Sequence, residues 1–267
     1  MAEERSRQSF EQRVDESHRS GANEHEVRIR PAYYAARPGF LRDWWTLLHP
    51  PYTAWILSYV VIGASLAPHV ELSRLLYCVL AFFLAVGLSA HALDELHGRP
   101  LRTQIPAPVL VTVAVLGVLG ALCLGIVGIR QVGWLLAPFM CVGPLILVIY
   151  NLELFGGALH NDVTFAFAWG SFPMLTAYIG ETGHLALAPA IAAASAFALS
   201  FAQRGLSTPA RLIRRRSTEV VGSLRFVDGR TVELDQHALL EPLERALRAT
   251  SWATVLLAAS IAVARLT

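Results

Sequence analysis

The chain has 267 residues, 54% of them hydrophobic and 16% charged, with a formal net charge of +2 and a mean hydropathy of +0.47. That apolar excess is more than a water-soluble domain carries and predicts an integral membrane protein; its apolar runs are continuous, which excludes a transmembrane β-barrel and leaves an all-α polytopic bundle. Every basic residue is arginine, no nucleic-acid partner is expected, and Cys78, Cys123 and Cys141 fall inside apolar runs, where they act as small hydrophobes rather than a disulfide framework.

Residues 1–45 are polar, mixed in charge and punctuated by glycine and proline, and read as a flexible cytoplasmic tail without a cleavable signal. The end of this tail, with Phe40, Leu41, Trp44 and Trp45 around Arg42 and Asp43, suits a short interfacial helix. A transmembrane bundle over 46–216 follows, with spans predicted at 51–68, 74–94, 107–128, 132–150, 162–180 and 185–203. An insertion over 217–249 then leads to a seventh span within 250–267. With the amino terminus in the cytoplasm and the carboxy terminus outside, only Arg74, Arg130 and Arg265 lie outside, as the positive-inside rule requires. Within the insertion, 223–234 alternates about Asp228-Gly229 and predicts a small β-hairpin. Leu239, Leu240, Leu243 and Leu247 then recur at helical spacing and predict an amphipathic helix before the last span.

Three inner segments, 95–106, 151–161 and 204–249, contain nearly all the remaining polar residues of the membrane domain, so chemistry is expected at the cytoplasmic face. At the end of the second span, the i, i+3, i+4 spacing puts His91, Asp94 and Glu95 on one helix face, where an imidazole and two carboxylates can converge on a cation. Magnesium favours such oxygen ligands when substrate phosphates complete its shell. The expectation is one magnesium ion on Asp94 and Glu95, with His91 orienting a carboxylate or accepting a proton. Arg99 and Arg102 follow where Pro100 ends the helix, placed to pair with phosphate oxygens. The competing reading is a polar helix end whose acid–arginine pairs fix the loop. Glu153 and Asp162 flank an inner loop without arginine and are candidates to face a cavity. For Asp162, beside Asn161 at a helix start, a capping role is favoured. His49 reads as a packing residue, and Arg214, Arg215 and Arg216 as an anchor near acidic headgroups.

The run from Ala90 through Asp94 to Arg99-Pro100 resembles the first aspartate motif of the UbiA-type intramembrane prenyltransferases, Asn-Asp-x-x-Asp-x-x-x-Asp followed by Arg-Pro. Asp94 falls on the central aspartate and Arg99-Pro100 on the trailing pair. His49-Pro50-Pro51-Tyr52-Thr53, Tyr150-Asn151, Ala168-Trp169-Gly170 with Pro173-Met174, and Gly205-Leu206-Ser207-Thr208-Pro209-Ala210-Arg211 are similar to further family stretches, so the resemblance covers about 45–216. The family's second aspartate motif is absent: Gln203 and Arg204 stand in its place, and no acid lies between Glu181 and Glu219. The resemblance implies a UbiA-like bundle that takes a prenyl diphosphate from the membrane lipid phase and transfers or cyclises its isoprenoid. A departing diphosphate must be stabilised by metal or by cations, and guanidinium forks match its geometry. Asn151, Glu153, Arg204 and Arg211 join Arg99 and Arg102 as candidate substrate-binding residues. The alternative is a relative without catalysis, a lipid-binding or scaffold protein.

Overall fold

Proline and glycine set several of the helix limits. The computed structural model describes residues 30–37 and 39–267, and the architecture below is that of Pro31–Thr267. The expectation for residues 1–29 lies outside the described residues. A short helix α1 (Phe40–Leu47) leads through His49, in the left-handed region, into α2 (Pro50–Ser65), whose two opening prolines sit where a missing N–H costs nothing. Helix α3 (Leu72–Leu96) is followed by the loop 97–106 and by α4 (Ala107–Val132), which stops at Gly133 with φ 99°. Helix α5 (Trp134–Asn151) ends in a turn at Phe155–Gly157. Helix α6 covers 162–182, from Asn161, whose Oδ1 accepts the Thr164 N–H, to Gly183 with φ 70°. Helix α7 is Leu187–Arg216, and a hairpin of β1 (Gly222–Arg225) and β2 (Thr231–Leu234) connects it to α8 (Gln236–Leu266).

Four of these helices, α3, α4, α5 and α8, are long and apolar enough to cross a membrane. At 1.5 Å per residue the 26 residues of α4 reach about 39 Å, beyond the roughly 30 Å of hydrocarbon. Large apolar side chains on α4 point outward, among them Val111, Val115, Leu116 and Leu119, as lipid solvation requires. Helix α2, with 16 residues, spans about 24 Å and packs between α6 and α8.

Close helix crossings organise the interior. Gly63 of α2 lies so near Met174 that an added Cβ would stand 2.2 Å from its carbonyl oxygen. Both α3 and α6 loosen midway into π-helical winding, at Phe83–Ala90 and Phe167–Ser171. Each loosened segment is crossed at a glycine. Gly117 of α4 meets Leu84 and Ser89, and Gly170 itself meets Ala196 of α7. Small residues at such crossings let backbones approach where lipid supplies no hydrophobic drive.

Two boundaries differ from the sequence-based expectation. The segment expected as a separate amphipathic helix and span is one 31-residue helix, α8, because no glycine or proline interrupts 243–266. Helix α7 likewise runs on to Arg216, and Arg214 donates from Nε and a terminal nitrogen to the Glu244 carboxylate, joining α7 to α8 beyond the apolar region. Residues 31–36, expected as flexible tail, form a strap packed on the bundle, with Ala32 and Ala35 buried.

Candidate functional site

Five non-glycine residues among those described have positive φ: His49, Arg99, Arg102, Glu153 and Phe155. All five belong to connections at one end of the bundle, before α2, after α3 and after α5. Backbone held in this region costs of order 1–3 kcal/mol per residue and persists where surroundings over-determine it, commonly at functional sites. This end also carries the strap and the arginine-rich half of α7 and is termed the basic end.

The residues expected to act together at the end of α3 separate. Glu95 is fully buried and turned into the 97–106 loop: Oε1 accepts from the backbone and hydroxyl of Thr103 at 2.8 and 2.9 Å, and Oε2 accepts from Leu101 N–H at 2.9 Å. Arg99 is spent on the same loop, donating to the carbonyls of Ile105 (2.6 Å) and Thr103 (3.3 Å), while Arg102 points to the exterior. Asp94 faces elsewhere. Its half-buried carboxylate makes no hydrogen bond or ion pair among the described residues and lies in the field of Arg211, Arg215 and His160. Consecutive helix positions differ by about 100° in direction, so the shared ion on Asp94 and Glu95 has no counterpart in this geometry. No group of three or more His, Cys, Asp or Glu side chains that could hold a metal ion is present among the described residues.

His91 does not orient a carboxylate. Its Nδ1 donates to the Gly87 carbonyl at 3.1 Å, and its ring stacks on His49. Around His49 the strap residue Tyr34 and Tyr52 of α2 complete an aromatic cluster, with centroid separations of 5.3 Å (Tyr34–His49) and 5.6 Å (Tyr34–Tyr52). Burial, with His91, Arg215 and Arg211 adding, holds the His49 imidazole well below the usual histidine range, and burial pushes the Tyr34 phenol well up.

Among the described residues Arg211 has no carboxylate partner; its side chain makes a long bond to the Thr208 hydroxyl at 3.4 Å. Burial lowers its affinity for the proton, as do Arg204 and Arg215 nearby. Arg204 is buried, donates to Asp162 at 3.0 Å and lies over the Phe165 ring. Asp162 thus serves Arg204, and Asn161 alone supplies the side-chain cap. Asn151 is buried and bonds back to Leu147 at 2.7 Å. Glu153 stands between His97 and His160, 3.8 Å from each.

Tyr150 connects this cluster to the interior: its ring stacks on His160 at 4.3 Å and meets Trp169 edge-on at 5.8 Å. Beyond Trp169 an apolar cleft between α3, α4, α5 and α6 holds about 1000 Å³ of space not filled by atoms, part of it open to the outside. Phe82, Val86, Met140, Leu147 and Phe172 line it, and Arg74 and Gln131 mark its far end.

The sequence reading missed Tyr34, Tyr52 and Arg215. Tyr52 and Arg215 lay in motifs already singled out, but Tyr34 belonged to a stretch whose polarity concealed its packing. No family model matches the chain, and no curated protein or solved structure matches it.

Proposed function

We propose that the chain is a seven-span membrane protein with its basic end at the cytoplasm and its carboxy terminus outside, and that it binds an isoprenoid diphosphate there. The observation that carries the reading is Arg211, a partly buried guanidinium without a carboxylate partner among the described residues, in the field of the unengaged Asp94 and of Tyr150, whose ring meets Trp169 at the wall of an apolar cleft. In this reading Arg204, Arg211 and Arg215 take the diphosphate oxygens, since planar guanidinium groups match phosphate bidentately. The isoprenoid chain lies in the cleft. The similarity of 45–216 to UbiA-type motifs supports the same ligand class, with transfer or cyclisation of the isoprenoid as the reaction. Charge on the departing diphosphate would be met by the arginines, with Asp94 a carboxylate unengaged among the described residues and able to receive a proton or orient an acceptor.

A second reading is a relative that binds the lipid without chemistry. It is favoured by the commitment of Glu95 to its loop and by the lack of acids between Glu181 and Glu219. One experiment separates the two. Purified protein in lipid vesicles with magnesium is incubated with labelled farnesyl, geranylgeranyl and polyprenyl diphosphates, and binding and pyrophosphate release are followed. Release supports the enzyme, binding without release supports the second reading, and no binding rejects both.

A further inference from the structure

The strap 31–36 occupies the mouth of the site just described. It contains no helix or strand, and one turn, Ala35 N–H to Ala32 carbonyl at 3.1 Å, shapes it. It is fastened at several points, among them Tyr33, whose ring lies 5.4 Å from the Arg248 guanidinium of α8. The Pro31 carbonyl accepts from Arg215 Nε at 3.2 Å; the Ala36 N–H donates to Thr46 Oγ1 at 3.0 Å; and Tyr34 wedges between His49 and Tyr52. A small pocket remains beneath it, lined by Tyr34, Tyr52, Ser207, Arg211, Arg215 and Glu244.

We infer that the strap is a displaceable cap that competes with an anionic ligand for Arg215, so that the site is self-blocked when empty. The inference rests on the diphosphate reading of the same arginines. Its physical basis is an exchange of acceptors. A neutral carbonyl now takes Arg215 Nε, and a phosphate oxygen in its place adds a full negative charge opposite the guanidinium and allows bidentate pairing that a single carbonyl does not give. The two acceptors cannot share one Nε–H in good geometry. Beyond Ala36 the chain is pinned, because Asp43 of α1 accepts from Gln104 N–H at 2.8 Å, so the strap swings from a fixed root. An open state populated at about 10% or less weakens apparent affinity by roughly tenfold or more, which loosening the strap restores.

The test uses the full chain in lipid, with inorganic pyrophosphate and geranylgeranyl diphosphate as probes. Amide hydrogen exchange of 31–37 is measured with and without each probe, and affinity is titrated for wild type, Tyr34→Ala and Thr46→Val. Thr46→Val keeps the side-chain shape while removing the acceptor for Ala36, and so covers the case in which Tyr34→Ala fails to fold. The inference expects faster exchange of the Ala35 and Ala36 amides at saturating probe and roughly tenfold tighter binding by a loosened variant. Unchanged or slower exchange, or affinity no tighter in the variants while wild type binds, overturns the cap and leaves the diphosphate site standing. Failure of every form to bind either probe overturns both.

Discussion

His49 and His91 stack face to face at the basic end, with ring centroids 4.2 Å apart and planes inclined by 23°. The first precedes α2 and the second lies near the end of α3, so the pair ties together the two helices that position Asp94 and the strap. A stack this close is stable with neutral rings, because two imidazolium ions at that separation repel.

Acidification should therefore loosen this end. The folded His49 is held below the ordinary histidine pKa, so its contribution is complete above about 6.5, where folded and unfolded forms are both neutral. As pH falls below about 6.5 the unfolded chain takes a proton that the folded one refuses. Stability then drops by about 1.4 kcal/mol per pH unit until the folded pKa is reached. Thermal unfolding in detergent between pH 8 and 5 checks this, and His49→Phe, which stacks without titrating, should make the profile shallower.

Adjacent carboxylates should behave oppositely. Glu95→Ala leaves the Leu101 and Thr103 donors unpaired in a buried loop and should cost about 2–4 kcal/mol, visible as a lowered Tm. Asp94→Asn removes a carboxylate that bonds to nothing among the described residues and should leave stability within about 1 kcal/mol of wild type while altering ligand affinity or turnover. Equal losses of stability in the two variants would refute the division of roles.

Arg211→Ala should weaken binding of inorganic pyrophosphate and prenyl diphosphates alike, by about 10- to 150-fold, the equivalent of one charged hydrogen-bonding group worth about 1.5–3 kcal/mol. Isothermal titration of the reconstituted protein reads this directly.

Narrowing the cleft should separate head from tail. Ala121 lines the cleft on α4, and Ala121→Phe should reduce affinity for geranylgeranyl diphosphate while leaving that for inorganic pyrophosphate unchanged. A parallel loss of both would move the isoprenoid chain elsewhere.

Membrane character and helix positions were legible from continuous apolar runs, and the hairpin from Asp228-Gly229, because each depends on local composition. The roles of Asp94 and Glu95 were not. Spacing put both on one broad face, but which of them turned inward depended on the winding upstream and on the loop donors of Leu101 and Thr103, neither of which has a sequence period. Tyr34 escaped for a related reason: its partners His49 and Tyr52 are distant in sequence, and a strap without regular structure leaves no repeating signal.

The π-helical stretch Phe83–Ala90 lies upstream of the loop, and it fixes the azimuth of everything after it on α3. Deleting one residue there would rotate the helix end by about 100°, enough to carry Glu95 off its loop and swing Asp94 away from α7. The division of labour between two neighbouring acids is thus a matter of pitch, decided about one to three turns earlier in the helix.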